Sequence, residues 1–521
     1  MKSNVENENV HKIHLLGERI YTNKELGIEQ SHPEMHNKIV QSVIGKRLRF
    51  QDVMVYVRTH QLQGYHVWIN SDICFHPSAL PNLRRSDIHL HRKMMALLRF
   101  EYSPSDPEKS PIFGPRFDSQ DTWIFHSNFP IPLHAEKSFG FEFGKPGCDN
   151  KLIYLLSVLG YEIINDPFFI KTWHVHSSKS REYTIKDAIP NPWGGVVPAN
   201  ANPLFIPPSI GMDLKTMASS TRNFADVQFS DNAVIYKYVL DKMQSGTPFV
   251  LPRISGIENN FAVFGRFLKE RDPNNEQLLQ YIQKVTPAMK NNAGIKLSSM
   301  ESVFKYADHY LRAFDYCEMI AGWDVQGNYI GHIAQSHEYI KQAYSNRKMV
   351  WALSLDIFHY IYSTPWTHAL RGKRVLVVSP FEKSILEKLP VRSKIYGVDL
   401  FPDCEITTIC PPQTHASQVS DEFDVELERF KRRLDKIKDT YDIALLSCGG
   451  YANPVAAYLF ECGKSAVYVG GVLQMYFGVL GGRWLKERPD IVRMYLNEHW
   501  SRPKQSERPK NCNNIEGGCY W

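Results

Sequence analysis

Apolar positions along the chain follow two alternating periods. Short β-like runs at 12–16 (KIHLL), 38–44 (KIVQSVI), 65–70 (YHVWIN), 94–100 (MMALLRF), 122–126 (TWIFH) and 168–174 (FFIKTWH) are separated by stretches with helical i, i+3, i+4 spacing. The clearest of these stretches are 49–62 and 149–159. Strands that alternate with helices predict a mainly parallel α/β sheet for residues 1–185. Residues 186–229 are rich in proline and glycine and read as a linker.

From about residue 230 the pattern changes. Helical spacing dominates 231–244 and 261–345, with 276–288 and 301–320 the clearest segments. The β-like run 374–379 (RVLVVS) then opens a second alternation. It continues through a helix at 381–388, a strand at 404–409, a charged amphipathic helix at 421–438, strands at 442–446 and 466–469, and a helix at 453–462. A second α/β domain, 230–521, with a helical insertion is the expectation.

Composition narrows the function classes. Over 521 residues, 43% hydrophobic and 22% charged is ordinary for a globular protein and excludes disorder as the main theme. A net charge of +6 is too dilute to argue for nucleic acid, yet it suits anionic ligands. The N-terminus lacks the apolar core of a signal peptide, and no apolar run reaches membrane-spanning length. Nine scattered cysteines without a CxxC pair read as reduced thiols, so a cytoplasmic protein is expected.

Polar clusters punctuate the strand ends of the first domain. Asn70-Ser71-Asp72 closes one β-like run, and Asp121 precedes another. Asp149 stands where a helix opens and is placed to cap it, while His174 and His176 end a third run. Taken singly, each has a plain structural role, as a turn residue, a cap or a packed histidine. Together, at the carboxyl ends of parallel strands, they could converge on one pocket. A carboxylate with an imidazole is a donor set for Mn²⁺ or Mg²⁺, and a second carboxylate could serve as general base or hydroxyl acceptor.

The series GYHVWINSDICF, MALLRF, SQDTWIF, GKPGCDNKLIYLLSVLGYEIINDP and WHVHSSKSREY resembles GT-A-type glycosyltransferase domains of viral and bacterial sugar-assembly proteins, over residues 10–185. The resemblance implies that Asn70, Ser71 and Asp72 bind the donor. Asp72, with His174 or His176, would then hold a divalent metal, with Asp121 and Asp149 as acid/base or acceptor candidates. The metal motif here has one carboxylate where the family pattern has two.

The second domain carries RISGIENN at 253–260, SCGGYANP at 447–454 and VGGVLQMYFGVLGGRW at 469–484. Glycines between a strand and a helix let backbone approach a phosphate, although neither late segment fits a dinucleotide fingerprint. With GKRVLVVSPFEKSI, these segments resemble a GT-D-type glycosyltransferase domain over residues 230–490. The resemblance implies donor binding by Arg253, Gly449, Gly450, Gly470, Gly471 and Gln474, and a catalytic Glu258. Gly256-Ile257-Glu258 supplies one carboxylate of two at the metal position, so metal dependence is expected to be weak there.

The whole then reads as a bifunctional glycosyltransferase taking UDP- or GDP-sugar donors to a glycan acceptor. One alternative keeps a single active domain, with the other a carbohydrate-binding or scaffolding module. A further alternative is a non-catalytic interaction protein built on two α/β cores.

Overall fold

The computed structural model describes residues 1–114, 116–175, 184–190, 193–196, 198, 224–323, 334–356, 364–487 and 489–521. The chain divides into two compact units, 1–227 and 228–521. Both are α/β.

In the first unit, β1 (Ile13–Gly17) pairs in parallel with β2 (Ile39–Val43). The helix Phe50–Thr59 leads to β3 (Tyr65–Ile69) and β4 (Ile73–Phe75). Further along lie β5 (Lys93–Leu97), β6 (Phe100–Glu101), β7 (Thr122–His126), β8 (Glu162–Ile164) and β9 (Thr172–His174). The central sheet has the order β3-β7-β5-β8, and a smaller one the order β4-β9-β6. Parallel pairs (β5 with β8, β6 with β9) sit beside antiparallel ones (β3 with β7, β5 with β7, β4 with β9), so both sheets are mixed. The helix Cys148–Val158 is buried along nearly its whole length, which is why it reads as apolar on more than one face.

Two expectations change here. The β-like run 94–100 is two strands in two different sheets, broken at Leu98-Arg99, and the run 168–174 keeps only its last three residues. Residues 186–190, 193–196 and 198, expected in the linker, lie along the first unit. Gly194 N donates to Asn150 O at 2.9 Å and Val196 N to Phe117 O at 3.0 Å.

The second unit is built on a five-stranded, wholly parallel sheet. Its strands are β10 (Val250–Leu251), β13 (Arg374–Val378), β14 (Glu405–Ile409), β15 (Ile443–Leu446) and β16 (Ser465–Tyr468), in the order β10-β16-β15-β13-β14. β15 and β16 are buried at every position, as continuous apolar runs covered on both faces require. Helices cover the sheet. In Phe423–Asp435, for example, Phe423, Leu427, Phe430 and Leu434 form the buried stripe.

The insertion is less helical than its periodicity suggests. β11 (Met319–Gly322) and β12 (Lys348–Trp351) form a parallel pair inside 261–345 and just beyond it. The helix expected over 301–320 is Met300–Tyr316, because Cys317 turns extended and the short run Met319–Gly322 is fully buried. Periodicity cannot separate such a run from a buried helical turn. All nine cysteines are free thiols. Among the described residues, no helix is long and apolar enough to cross a membrane.

Candidate functional site

In the first unit, Asn70-Ser71-Asp72 is a turn between β3 and β4, closed by Ile73 N donating to Asn70 O at 3.1 Å. The turn also has a second role. Antiparallel pairing of β4 with β9 sets Ile73 opposite His174, which brings the Asp72 side chain onto the imidazole. His174 Nε2 lies 3.1 Å from Asp72 Oδ2, and Nδ1 lies 2.9 Å from Glu101 Oε2.

The network continues inward. Arg99 Nε donates to Glu101 Oε1 at 2.9 Å, the Arg99 guanidinium pairs with Asp121, and Asn70 Nδ2 donates to Asp121 Oδ1 at 2.9 Å. Asp72, Asn70, His174 and Asp121 therefore belong to one polar network. Ser71 is exposed on the turn, and His176 lies outside the described residues.

Charge inside this network alternates. The Asp72 carboxylate, opposed by burial and helped by Glu101, raises the His174 pKa. Burial would raise Glu101, but His174 and Arg99 hold it below the usual carboxylate range. Asp149 stands apart. Gly147, at φ 77°, is the cap of its helix; Asp149 falls in the first turn and accepts instead from Gln120 N at 3.1 Å. Burial pushes its pKa up to about 6. The capping role expected for Asp149 is thus corrected, because the left-handed glycine takes the cap position.

Only Asp72 and His174 of the expected metal set lie within the described residues, and His176 falls outside them. Both ring nitrogens of His174 already face carboxylates, so neither is free as a ligand. Among the described residues, no group of three or more His, Cys, Asp or Glu side chains is arranged to hold a metal ion.

In the second unit, the loops after the strands enclose a cavity of about 840 Å³, counting its open mouth. β14 lies on one side of β13 and β15 on the other, so connections diverge at this edge, where open parallel sheets bind ligands. Glu258 enters from the start of the helix that follows β10, Pro380 from the loop after β13, and Gln413 and His415 from that after β14. Ser447 to Gly449 follow β15, and Gly470-Gly471 follow β16.

Glu258 sits in the first turn of the helix Ile257–Glu270. Burial raises its pKa, against nearby backbone N–H groups and the Ser255 hydroxyl, and the charge of Glu516 adds to the rise. Burial, then Lys290, pushes the His415 pKa down to about 4, which leaves the ring neutral.

Three other expected donor residues stand behind this wall. Arg253 does not line the cavity: its Nη1 donates to Val469 O at 2.5 Å, and a Cβ on Gly470 would meet that nitrogen at 2.6 Å. Gly470, at φ 86°, is needed for the turn that accepts the arginine. Gln474 is fully buried, and its Nε2 donates to Val479 O at 3.0 Å and Tyr520 O at 3.2 Å. Gly450 packs on Ile295. Arg253 and Gln474 therefore hold the turns that form the wall, Arg253 through Nη1 on the Val469 carbonyl and Gln474 through its amide nitrogen on two backbone carbonyls.

Sequence reasoning missed part of the wall. Pro509, Ile515, Glu516, Tyr520 and Trp521 close one side of the cavity. Arg99 and Glu101 were missed as well: Arg99 lies inside the run 94–100 that reads as one strand, and Glu101 directly follows it.

No protein-family profile matches the chain, and no curated protein matches it. Two solved structures do. One is described as a domain of unknown function 1792, with 15% identity over 54% of this chain and 96% of that one, at a TM-score of 0.26. The other is described as a new glycosyltransferase of the same domain type from Streptococcus sanguinis. It shows 14% identity over 52% of this chain and 94% of that one, at a TM-score of 0.29.

Proposed function

We propose that this protein is a glycosyltransferase whose C-terminal unit binds a nucleotide-sugar. One observation carries the reading. Glu258 and the glycine turns at Gly449 and Gly470-Gly471 face a single cavity at the carboxyl edge of a parallel sheet. In this reading the backbone N–H groups of the glycine turns take the donor's diphosphate, for which close backbone approach is required. Glu258, whose pKa burial raises, is the carboxyl group placed to exchange a proton with the acceptor hydroxyl.

The bifunctional form requires the N-terminal unit to bind a donor as well. A single active unit is favoured by the network Asp72–His174–Glu101–Arg99–Asp121, in which anionic and cationic or imidazole groups already alternate. Calorimetric titration of the full chain with UDP-, GDP- and CMP-sugars, with and without Mn²⁺, tests the proposal. One binding event that is lost in Gly470→Val and kept in Asp72→Ala is the expected result. No heat with any nucleotide-sugar would overturn it.

A further inference from the structure

The cavity is walled by two carboxylates, and they reach it from opposite ends of the unit. Glu258 arrives from the start of a helix, and Glu516 from the segment 509–521. The Glu516 charge adds to the rise that burial gives Glu258. Among the described residues that line the cavity there is no lysine or arginine.

That composition selects between the parts of a donor. Phosphate oxygens beside two carboxylates would be repelled, and no lysine or arginine of the lining is there to hold them. A neutral polyol meets the opposite situation. Each hydroxyl can donate to a carboxylate in a charge-assisted hydrogen bond, and Asn292 and Gln413 offer both donors and acceptors. Tyr520 and Trp521 add apolar ring surface for the C–H face of a pyranose.

Glu516 is held in place and has an oxygen to spare. Its Oε2 is paired with Arg483 and lies 3.4 Å from Cys519 Sγ; its Oε1 has no partner among the described residues. Arg483 is itself fixed twice more. Its backbone N–H donates to Cys519 O at 2.6 Å, and its guanidinium lies 5.0 Å from the Tyr520 ring centroid. Asn291 Nδ2 donates to Asn514 O at 2.5 Å and Asn511 Nδ2 to Ser417 Oγ at 3.2 Å, which ties the same segment to the helical turn Met289–Ala293 and to the loop after β14.

We propose that Glu516 is a sugar-binding residue of this cavity. Its Oε1 accepts from hydroxyls of the donor's sugar, while Oε2 stays on Arg483. Glu516 is then the second carboxylate of a site in which the sequence shows only Glu258. The inference rests on the glycosyltransferase reading above and narrows it to the part of the donor that the acidic wall takes.

The test compares each nucleotide (UDP, GDP, CMP) with a matching nucleotide-sugar by calorimetry, on the full chain and on Glu516→Gln. The expected result is that Glu516→Gln binds the free nucleotide as wild type does, and loses about ten- to hundredfold in affinity for the nucleotide-sugar, as befits one charge-assisted hydrogen bond. Equal losses for both ligands, or no loss for either, would overturn the proposal and leave the glycosyltransferase reading intact. Absence of binding by the wild-type chain would overturn both. Should Glu516→Gln unfold through loss of the Arg483 pair, Glu516→Asp retains the charge while shortening its reach. It is expected to show the same selective loss, and wild-type affinity for the sugar in that variant would overturn the proposal.

Discussion

Glu507 and Ser384 are joined twice across 123 residues of sequence. One carboxylate oxygen of Glu507 accepts from the Ser384 backbone N–H at 3.2 Å and also from its hydroxyl. The other accepts from Lys383 N at 2.7 Å. The first turn of the helix Glu382–Lys388 has no side-chain cap of its own, so Glu507 satisfies donors that would otherwise lack a partner.

Glu507→Ala should therefore cost about 1–3 kcal/mol in stability of the second unit, the range for leaving hydrogen-bonded groups without their charged partner. Urea unfolding of the full chain measures it. A change in midpoint within error would mean that water replaces the carboxylate without loss.

Gly471 gives a sharper lever on the same segment. A Cβ there would stand 2.4 Å from Tyr520 Cε1, and the Tyr520 ring lies against Arg483. Gly471→Ala is expected to push the segment 509–521 off the wall, with faster limited proteolysis in that segment and altered Trp521 fluorescence. Wild-type cleavage rates and fluorescence would show that the ring yields without moving the backbone.

Asp149 predicts an unusual pH dependence in the first unit. Its folded pKa, raised by burial to about 6, exceeds the unfolded value near 3.8. The folded state therefore binds the proton more tightly, and stability is lost as pH rises between those two values. Asp149→Asn should stabilise by about 1–3 kcal/mol above pH 6 and have little effect near pH 4. Thermal melts at pH 4 and pH 7.5 decide it, and equal effects at both would locate the change in the hydrogen bond to Gln120.

His174 carries a second dependence, in the window just above it. Asp72 raises its pKa, so the stabilisation is fully present below the ordinary value of 6.5 and is lost as pH rises through the folded value. His174→Gln should flatten the fall of the melting midpoint as pH rises above 6.5. A slope in the variant equal to that of the wild type would remove His174 from the titration.

Much of the second unit was legible because its strands are short apolar runs bounded by glycine and charge. Ile443–Leu446 and Ser465–Tyr468 stand within a residue of where the pattern puts them. The glycine turns that follow them were legible for the same local reason. Glu516 was not, since nothing near 516 resembles a strand end and its role depends on contact with Arg483. Arg253 and Gln474 misled in the other direction. A polar tip beside a glycine turn looks the same in sequence whether it faces a ligand or a backbone carbonyl. In the first unit, the turn at 70–72 was visible, but its link to His174 depends on the β4–β9 register, which no local pattern encodes.

The pairing of β10 with β16 has a consequence for how the second unit comes into being. Phe249 and Ser465, at the start of that pairing, are 216 residues apart, and β10 has no other neighbour in the sheet. On a ribosome, the strand beginning at Val250 stays an unsatisfied edge until Val467 has emerged, long after the insertion can form its own local helices. Closing so distant a contact is slow. Nascent chains should therefore depend on a chaperone to shield that edge, and unit 228–521 should become protease-resistant in one late step.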